Sequence, residues 1–131
     1  MIRQHFKLPD YDWDVWCYYI VARPDADEIV SRLEDMGCNG NDLERAYTNL
    51  RSGKLDTGLT YTNTALHQTV VVIAKTSSPK EFAQSWRHEL GHVADHIAQC
   101  FGISPHGEEL QYIGDELVNQ TWKIAEKLLI R

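Results

Sequence analysis

The sequence predicts a small α+β domain, because segments with strand-like and helix-like apolar patterns follow each other in the order β-α-α-β-β-α-α. The chain has 131 residues, of which 43% are hydrophobic and 24% are charged. These values are ordinary for a globular protein, and one domain is the usual count at this length. We therefore predict a single domain over residues 1–131, with a few-stranded mixed sheet packed against helices.

The first half of the chain contains one predicted strand and two predicted helices. Residues 13–22 are rich in aromatic and β-branched side chains, which favour a strand. Pro24 suits the first turn of a helix, and Gly37 is a typical helix stop. Asn41 resembles an N-cap residue, and the helix that follows it is expected to end at Gly53.

Two strands and two helices are predicted in the second half. Residues 59–66 and 69–75 have the composition of short strands, and the second run is apolar enough for a well-buried strand. The segment Ser78-Pro79-Lys80-Glu81 combines an N-cap serine, a first-turn proline and a glutamate three residues after the cap. This motif predicts a helix from 79 to about 100, and a last helix is expected to begin near Pro105.

Composition also limits the class of protein. No apolar run approaches the ~20 residues that span a membrane, and the N-terminus lacks the apolar core of a secretory signal. The net charge of −6 argues against nucleic acid as a partner. Three cysteines without close spacing indicate reduced thiols rather than a disulfide framework. We therefore expect a cytoplasmic protein that binds neither membranes nor nucleic acid.

An HExxH motif, His88-Glu89-Leu90-Gly91-His92, lies inside the predicted 79–100 helix. Residues four apart lie on the same helical face, so the imidazoles of His88 and His92 can converge on one Zn²⁺. Glu89, between them, can reach a water bound to that metal without being a ligand itself. The motif therefore predicts a zinc site on this helix, with Glu89 as a general base.

A catalytic zinc site needs a third protein ligand. Glu109 is favoured, because helical phase puts it about 60° from the centre of the apolar stripe of the last helix, whereas Glu108 lies about 160° away. This choice assumes that the last helix has already begun at these residues and returns antiparallel over the first. His96 is a further alternative, but it lies about 12 Å from His88 along the same helix axis.

The chain resembles the zincin-like metallopeptidases, in particular the compact gluzincin-like proteins of phage and bacterial mobile elements. The similarity is carried by the segments GLTYTNTALHQTVVVI, SPKEFAQSWRHELGHVADHI and GEELQYIGDEL, within roughly residues 58–118. It implies a small zincin-like α+β domain, in which the sheet packs against the HExxH helix and a C-terminal helix supplies a glutamate ligand. It also implies that an edge strand binds an extended peptide.

Together, motif and resemblance predict a zinc-dependent metallopeptidase that acts on a peptide or protein substrate. The expected zinc ligands are His88, His92 and Glu109, with Glu108 as the alternative to Glu109. The metal activates a water and polarises the peptide carbonyl, and Glu89 takes the proton from the water.

Further polar residues are candidates for orienting ligands or contacting substrate. Hydrolysis needs a group that stabilises the oxyanion, and Tyr112, His106 and His96 are candidates for this role. The resemblance puts residues 61–67 at or beside the peptide-binding edge strand, which makes Asn63 a candidate substrate contact.

A non-catalytic module is the main alternative. In that case the protein would keep zinc as a structural element and bind a peptide or a regulatory protein. A structural zinc site is normally closed by four protein ligands, so His96 or a second glutamate would fill the open position. The presence of Glu89 favours the enzyme, because a binding module needs no general base.

Overall fold

In the computed structural model, which describes residues 1–130, four strands form one mixed sheet and four helices cover its two faces. The strands are β1 (Ile2–Leu8), β2 (Trp13–Val21), β3 (Gly58–Asn63) and β4 (Gln68–Ala74). The helices are α1 (Ala26–Asp35), α2 (Gly40–Ser52), α3 (Pro79–Phe101) and α4 (Glu108–Leu129). This arrangement confirms the predicted α+β class.

The order of the strands across the sheet is β1-β2-β4-β3. The pairs β1–β2 and β3–β4 are antiparallel, whereas the central strands β2 and β4 are parallel. A parallel pair needs a long crossover connection, and here α1, α2 and β3 supply it. As a result β3 is an edge strand, paired with β4 on one side only.

The sheet carries an apolar cluster on each face. In β4, Val71 and Ile73 pack in the cluster with α3 and α4, while Val70 and Val72 pack in the cluster with α1 and α2. Successive side chains of a strand point to opposite faces, so β4 needs apolar residues at consecutive positions from Val70 to Ile73. This double burial explains the continuous apolar run predicted as a buried strand.

Strand β1 is the element that the sequence pattern did not predict. Its exposed residues Arg3, His5 and Lys7 alternate with more buried ones, which is the period of a half-buried edge strand. Helix α4 begins at Glu108 rather than near Pro105. The other predicted elements are present with small shifts of their ends.

Two further expectations can be compared with the structure. Cys17, Cys38 and Cys100 are all free, as their odd number and spacing predicted. Among residues 1–130, no helix combines the length and apolar character needed to cross a bilayer.

Candidate metal centre and its cleft

Helix α3 positions the HExxH motif, and local sequence signals define both of its ends. The hydroxyl of Ser78 accepts a hydrogen bond from the backbone N–H of Glu81 at 3.2 Å, as the predicted N-cap requires. Gly102 ends the helix in the left-handed conformation, with φ of 67°. The buried side of α3 faces the core, and His88 and His92 lie on its exposed side.

The two histidines converge as the spacing predicted. Their Nε2 atoms are 3.1 Å apart, and the rings are nearly perpendicular, with an interplanar angle of 89°. Two nitrogens bound to one tetrahedral zinc, each at about 2.0–2.1 Å, lie about 3.3 Å apart. His88 and His92 therefore fit two positions in the coordination shell of one zinc ion.

Glu89 of α3 points toward the beginning of the edge strand β3 and contacts residues there. Its side chain is buried, with 2% of the residue exposed. Thr57 donates a hydrogen bond to Oε2 at 2.6 Å, and Thr60 donates one to Oε1 at 2.8 Å. Both carboxylate oxygens thus have a hydroxyl partner, which fixes the orientation of the carboxylate and ties α3 to β3.

Gly58 allows this close approach. Its φ of 155° is a conformation that residues with side chains rarely adopt. A Cβ at this position would lie 1.8 Å from the carbonyl oxygen of Val72 and 3.2 Å from Cγ of Glu89. Glycine is therefore required where β3 begins, because only a bare backbone fits between β4 and the Glu89 side chain.

We expect Gly58→Ala to lower the free energy of unfolding by at least about 3 kcal/mol, because the added methyl group collides with the β4 backbone and strains φ. Urea denaturation measures this change. Gly114→Ala is the matched control: Gly114 lies inside α4 with no atom near an added Cβ, so alanine should stabilise by up to about 1 kcal/mol. Equal unfolding midpoints for the two variants would contradict the role given to Gly58.

An open cleft of about 470 Å³ lies in front of these residues. One wall is the face of α3 that carries His88, Glu89, His92 and His96. The segment 54–60 and Asn49 of α2 line the rest of the cleft. The histidine pair is thus accessible from solvent and lies beside the edge strand.

The structure does not bring the predicted third ligand to the histidine pair. Among residues 1–130, no group of three or more His, Cys, Asp or Glu side chains could hold a metal ion. Glu109 is exposed and lies near Tyr11, whose pKa is raised by burial and by the Glu109 charge. The alternative, Glu108, accepts a hydrogen bond from Tyr112 at 3.4 Å.

Helix packing explains this separation. The groove between α3 and α4 is lined by residues such as Leu90 and Ala94 of α3 and Leu110 and Gly114 of α4. At about 100° per residue, Leu90 and Ala94 lie about 120–160° around the helix from the two histidines, which is nearly half a turn. The first turn of α4 therefore lies against a different face of α3 from the one that borders the cleft.

The other candidates divide between the cleft and the surface. His96 lines the cleft, and its pKa is lowered by burial and by the neighbouring His92. Tyr112 is 62% exposed on α4 and does not line the cleft. Asn63 donates to the carbonyl of Met36 at 2.8 Å and accepts from the backbone N–H of Leu66 at 3.3 Å, so it fixes the turn after β3.

Threonines of the edge strand are the residues that sequence reasoning missed. Thr60 and Thr62 lie two apart in β3 and therefore on the same face, where they contact Glu89 and His96. The alternation of threonine with larger side chains in 60–62 was a visible signal. Its meaning depended on knowing that β3 lies beside α3.

Comparisons with known protein families, with curated proteins and with solved structures found no match. A functional assignment therefore depends on the chemistry of the cleft. That chemistry consists of two convergent imidazoles, an adjacent oriented carboxylate and a half-buried histidine.

Proposed function

We propose that the protein is a zinc-dependent metallopeptidase with a zincin-like domain, which hydrolyses bonds of a peptide or protein substrate. The observation that carries the proposal is the 3.1 Å separation of the His88 and His92 Nε2 atoms at an open cleft, with Glu89 beside them. These two histidines would hold Zn²⁺. When bound, zinc lowers the pKa of its water and polarises the peptide carbonyl.

Glu89 is the proton carrier in this proposal. A carboxylate next to the histidine pair can accept a proton from water and pass it to the leaving amine. The hydroxyls of Thr57 and Thr60 hold this carboxylate in one orientation, so little ordering is needed at the moment of reaction. Glu89 would therefore act as a general base that the fold has already aligned.

The edge strand β3 is the proposed guide for the substrate. It pairs with β4 on one side only, and its first residues line the cleft. An extended peptide can add to such an edge by main-chain hydrogen bonds, which bring a peptide bond near the histidines. We propose a cytoplasmic site of action, because three free cysteines suit a reducing compartment.

One observation favours the second candidate, a non-catalytic zinc-binding module that recognises a peptide or regulatory protein. Glu89 is 2% exposed and both of its oxygens are engaged by threonines, as in a carboxylate that only ties two elements together. Against this, a structural zinc site is closed by four protein ligands. Two histidines at an open cleft leave positions free, which favours catalysis.

The proposal is tested by loading the metal-free protein with one equivalent of zinc and incubating it with a mixture of unstructured peptides. Mass spectrometry should detect cleavage products that disappear with a chelator and with His88→Ala. Stoichiometric zinc without any cleavage would instead support the binding module. Absence of zinc after reconstitution would overturn both candidates.

A further inference from the structure

A chain of hydrogen bonds leads from His96 in the cleft to the core. Nδ1 of His96 lies 2.8 Å from the hydroxyl of Thr62, which lies 2.9 Å from the hydroxyl of Thr69. The indole nitrogen of Trp13 donates to Thr69 at 2.9 Å. Trp13 and Thr69 are fully buried, whereas His96 is half-buried and lines the cleft.

The indole sets the direction of the first bond in this chain, and the hydroxyl hydrogens that need acceptors set the other two. An indole N–H can only donate, so the Thr69 hydroxyl accepts from Trp13. The hydrogen of the Thr69 hydroxyl then needs an acceptor of its own, and the Thr62 hydroxyl is the side-chain acceptor within reach. Thr62 in turn has its hydrogen free for His96, and Nδ1 of the ring accepts it.

The reverse direction leaves one hydroxyl hydrogen of the chain without an acceptor among the described side chains. If His96 donated from Nδ1 and Thr62 donated to Thr69, the hydrogen of the fully buried Thr69 hydroxyl would have no such acceptor. If Thr62 instead accepted from both His96 and Thr69, the hydrogen of the partly buried Thr62 hydroxyl would have none. Burying an unsatisfied donor is unfavourable, so the first direction is preferred.

We infer that the Trp13–Thr69–Thr62 chain fixes neutral His96 in the tautomer that carries its proton on Nε2. Nε2 has no partner among the side chains of residues 1–130, and the residue borders the cleft. His96 is therefore a preset donor for an acceptor oxygen, such as a carbonyl or carboxylate of a bound peptide. Zinc ligation through Nε2 would require the tautomer and the hydroxyl chain to reverse, which disfavours His96 as the third ligand; this consequence rests on the proposed function.

The tautomer can be measured directly in the metal-free protein. Long-range ¹H–¹⁵N correlation spectra at about pH 8, where an ordinary histidine is neutral, distinguish a protonated ring nitrogen from an unprotonated one. His96→Gln identifies the signals. We expect an unprotonated Nδ1 and a protonated Nε2 in His96, and the opposite pattern would overturn the inference.

Substitutions at Thr62 show whether the hydroxyl chain causes the tautomer preference of His96. Thr62→Val keeps the shape of the side chain on an edge strand but removes the hydroxyl, so the two ring ¹⁵N shifts should move toward each other as the tautomers mix. Thr62→Ser keeps the hydroxyl and should retain the wild-type shifts. Unchanged shifts in Thr62→Val would overturn the role of the chain, and Thr62→Ala repeats the test without a branched side chain.

Zinc titration separates this inference from the proposed function. His96→Gln should weaken zinc binding by less than about tenfold. Loss of a group that supports a zinc ligand typically costs about 10–100-fold, and the inference makes His96 a donor to bound peptide instead. A loss as large as that in His88→Ala would make His96 a ligand and overturn the inference. If the wild-type protein binds no zinc, the proposed function fails, while the tautomer measurement in the metal-free protein still decides the inference.

Discussion

Replacing His88 or His92 by alanine is expected to weaken zinc binding by more than about 100-fold. Loss of a group that only supports a ligand already costs 10–100-fold, so loss of one of two convergent ligands should cost more. Both side chains are exposed, so the folded state should tolerate the change. Competition with a chromophoric chelator measures the affinity, and a thermal unfolding curve confirms that each variant is folded.

Two control variants make this result specific. His106 is exposed in the turn between α3 and α4 and does not line the cleft, so His106→Ala should leave zinc affinity unchanged. Glu109→Gln should also leave it unchanged, because the structure keeps Glu109 away from the histidine pair. Equal affinity in His88→Ala and the wild type would contradict a metal site at this pair. A large loss in Glu109→Gln would mean that α4 moves to complete the site.

The histidine pair could be predicted from sequence because its geometry is local. The i, i+4 spacing fixes two side chains on one helical face, and Ser78 and Gly102 show that the segment between them is one uninterrupted helix. No tertiary contact is needed to bring His88 and His92 together. The sequence therefore predicted the part of the site that one helix determines.

The third ligand could not be predicted because it depends on how two helices pack. Helical phase favoured Glu109 over Glu108 as the residue that faces inward from α4, but both are exposed in the structure. Phase could not show which face of α3 the helix would meet. In the structure, α4 packs against the Leu90 and Ala94 side of α3. The partners of Glu89 were hidden for the same reason, since Thr60 of β3 and Thr57, just before β3, lie about thirty residues earlier in the chain.

The hydrogen bonds that Thr57 and Thr60 donate to Glu89 are compatible with both candidate functions. A substitution at Glu89 must therefore distinguish a catalytic carboxylate from a structural one. Gln has nearly the same shape as Glu, and a threonine hydroxyl can either donate or accept. In Glu89→Gln, one threonine can donate to the amide oxygen while the other accepts from the amide N–H₂. The tie between α3 and β3 is therefore kept, and only the ability to accept a proton is lost.

We expect Glu89→Gln to lower kcat/KM for peptide cleavage by about 10²–10⁴-fold, the usual contribution of a general base, while zinc affinity changes little. Glu126→Gln removes a charge from an exposed position of α4 and should keep wild-type activity. Retained cleavage in Glu89→Gln would remove Glu89 from the chemistry and leave it as a structural tie. In that case Glu89→Ala, which strips both threonines of their acceptor, should still destabilise the fold, because a buried tie is needed for stability whether or not the cleft is catalytic.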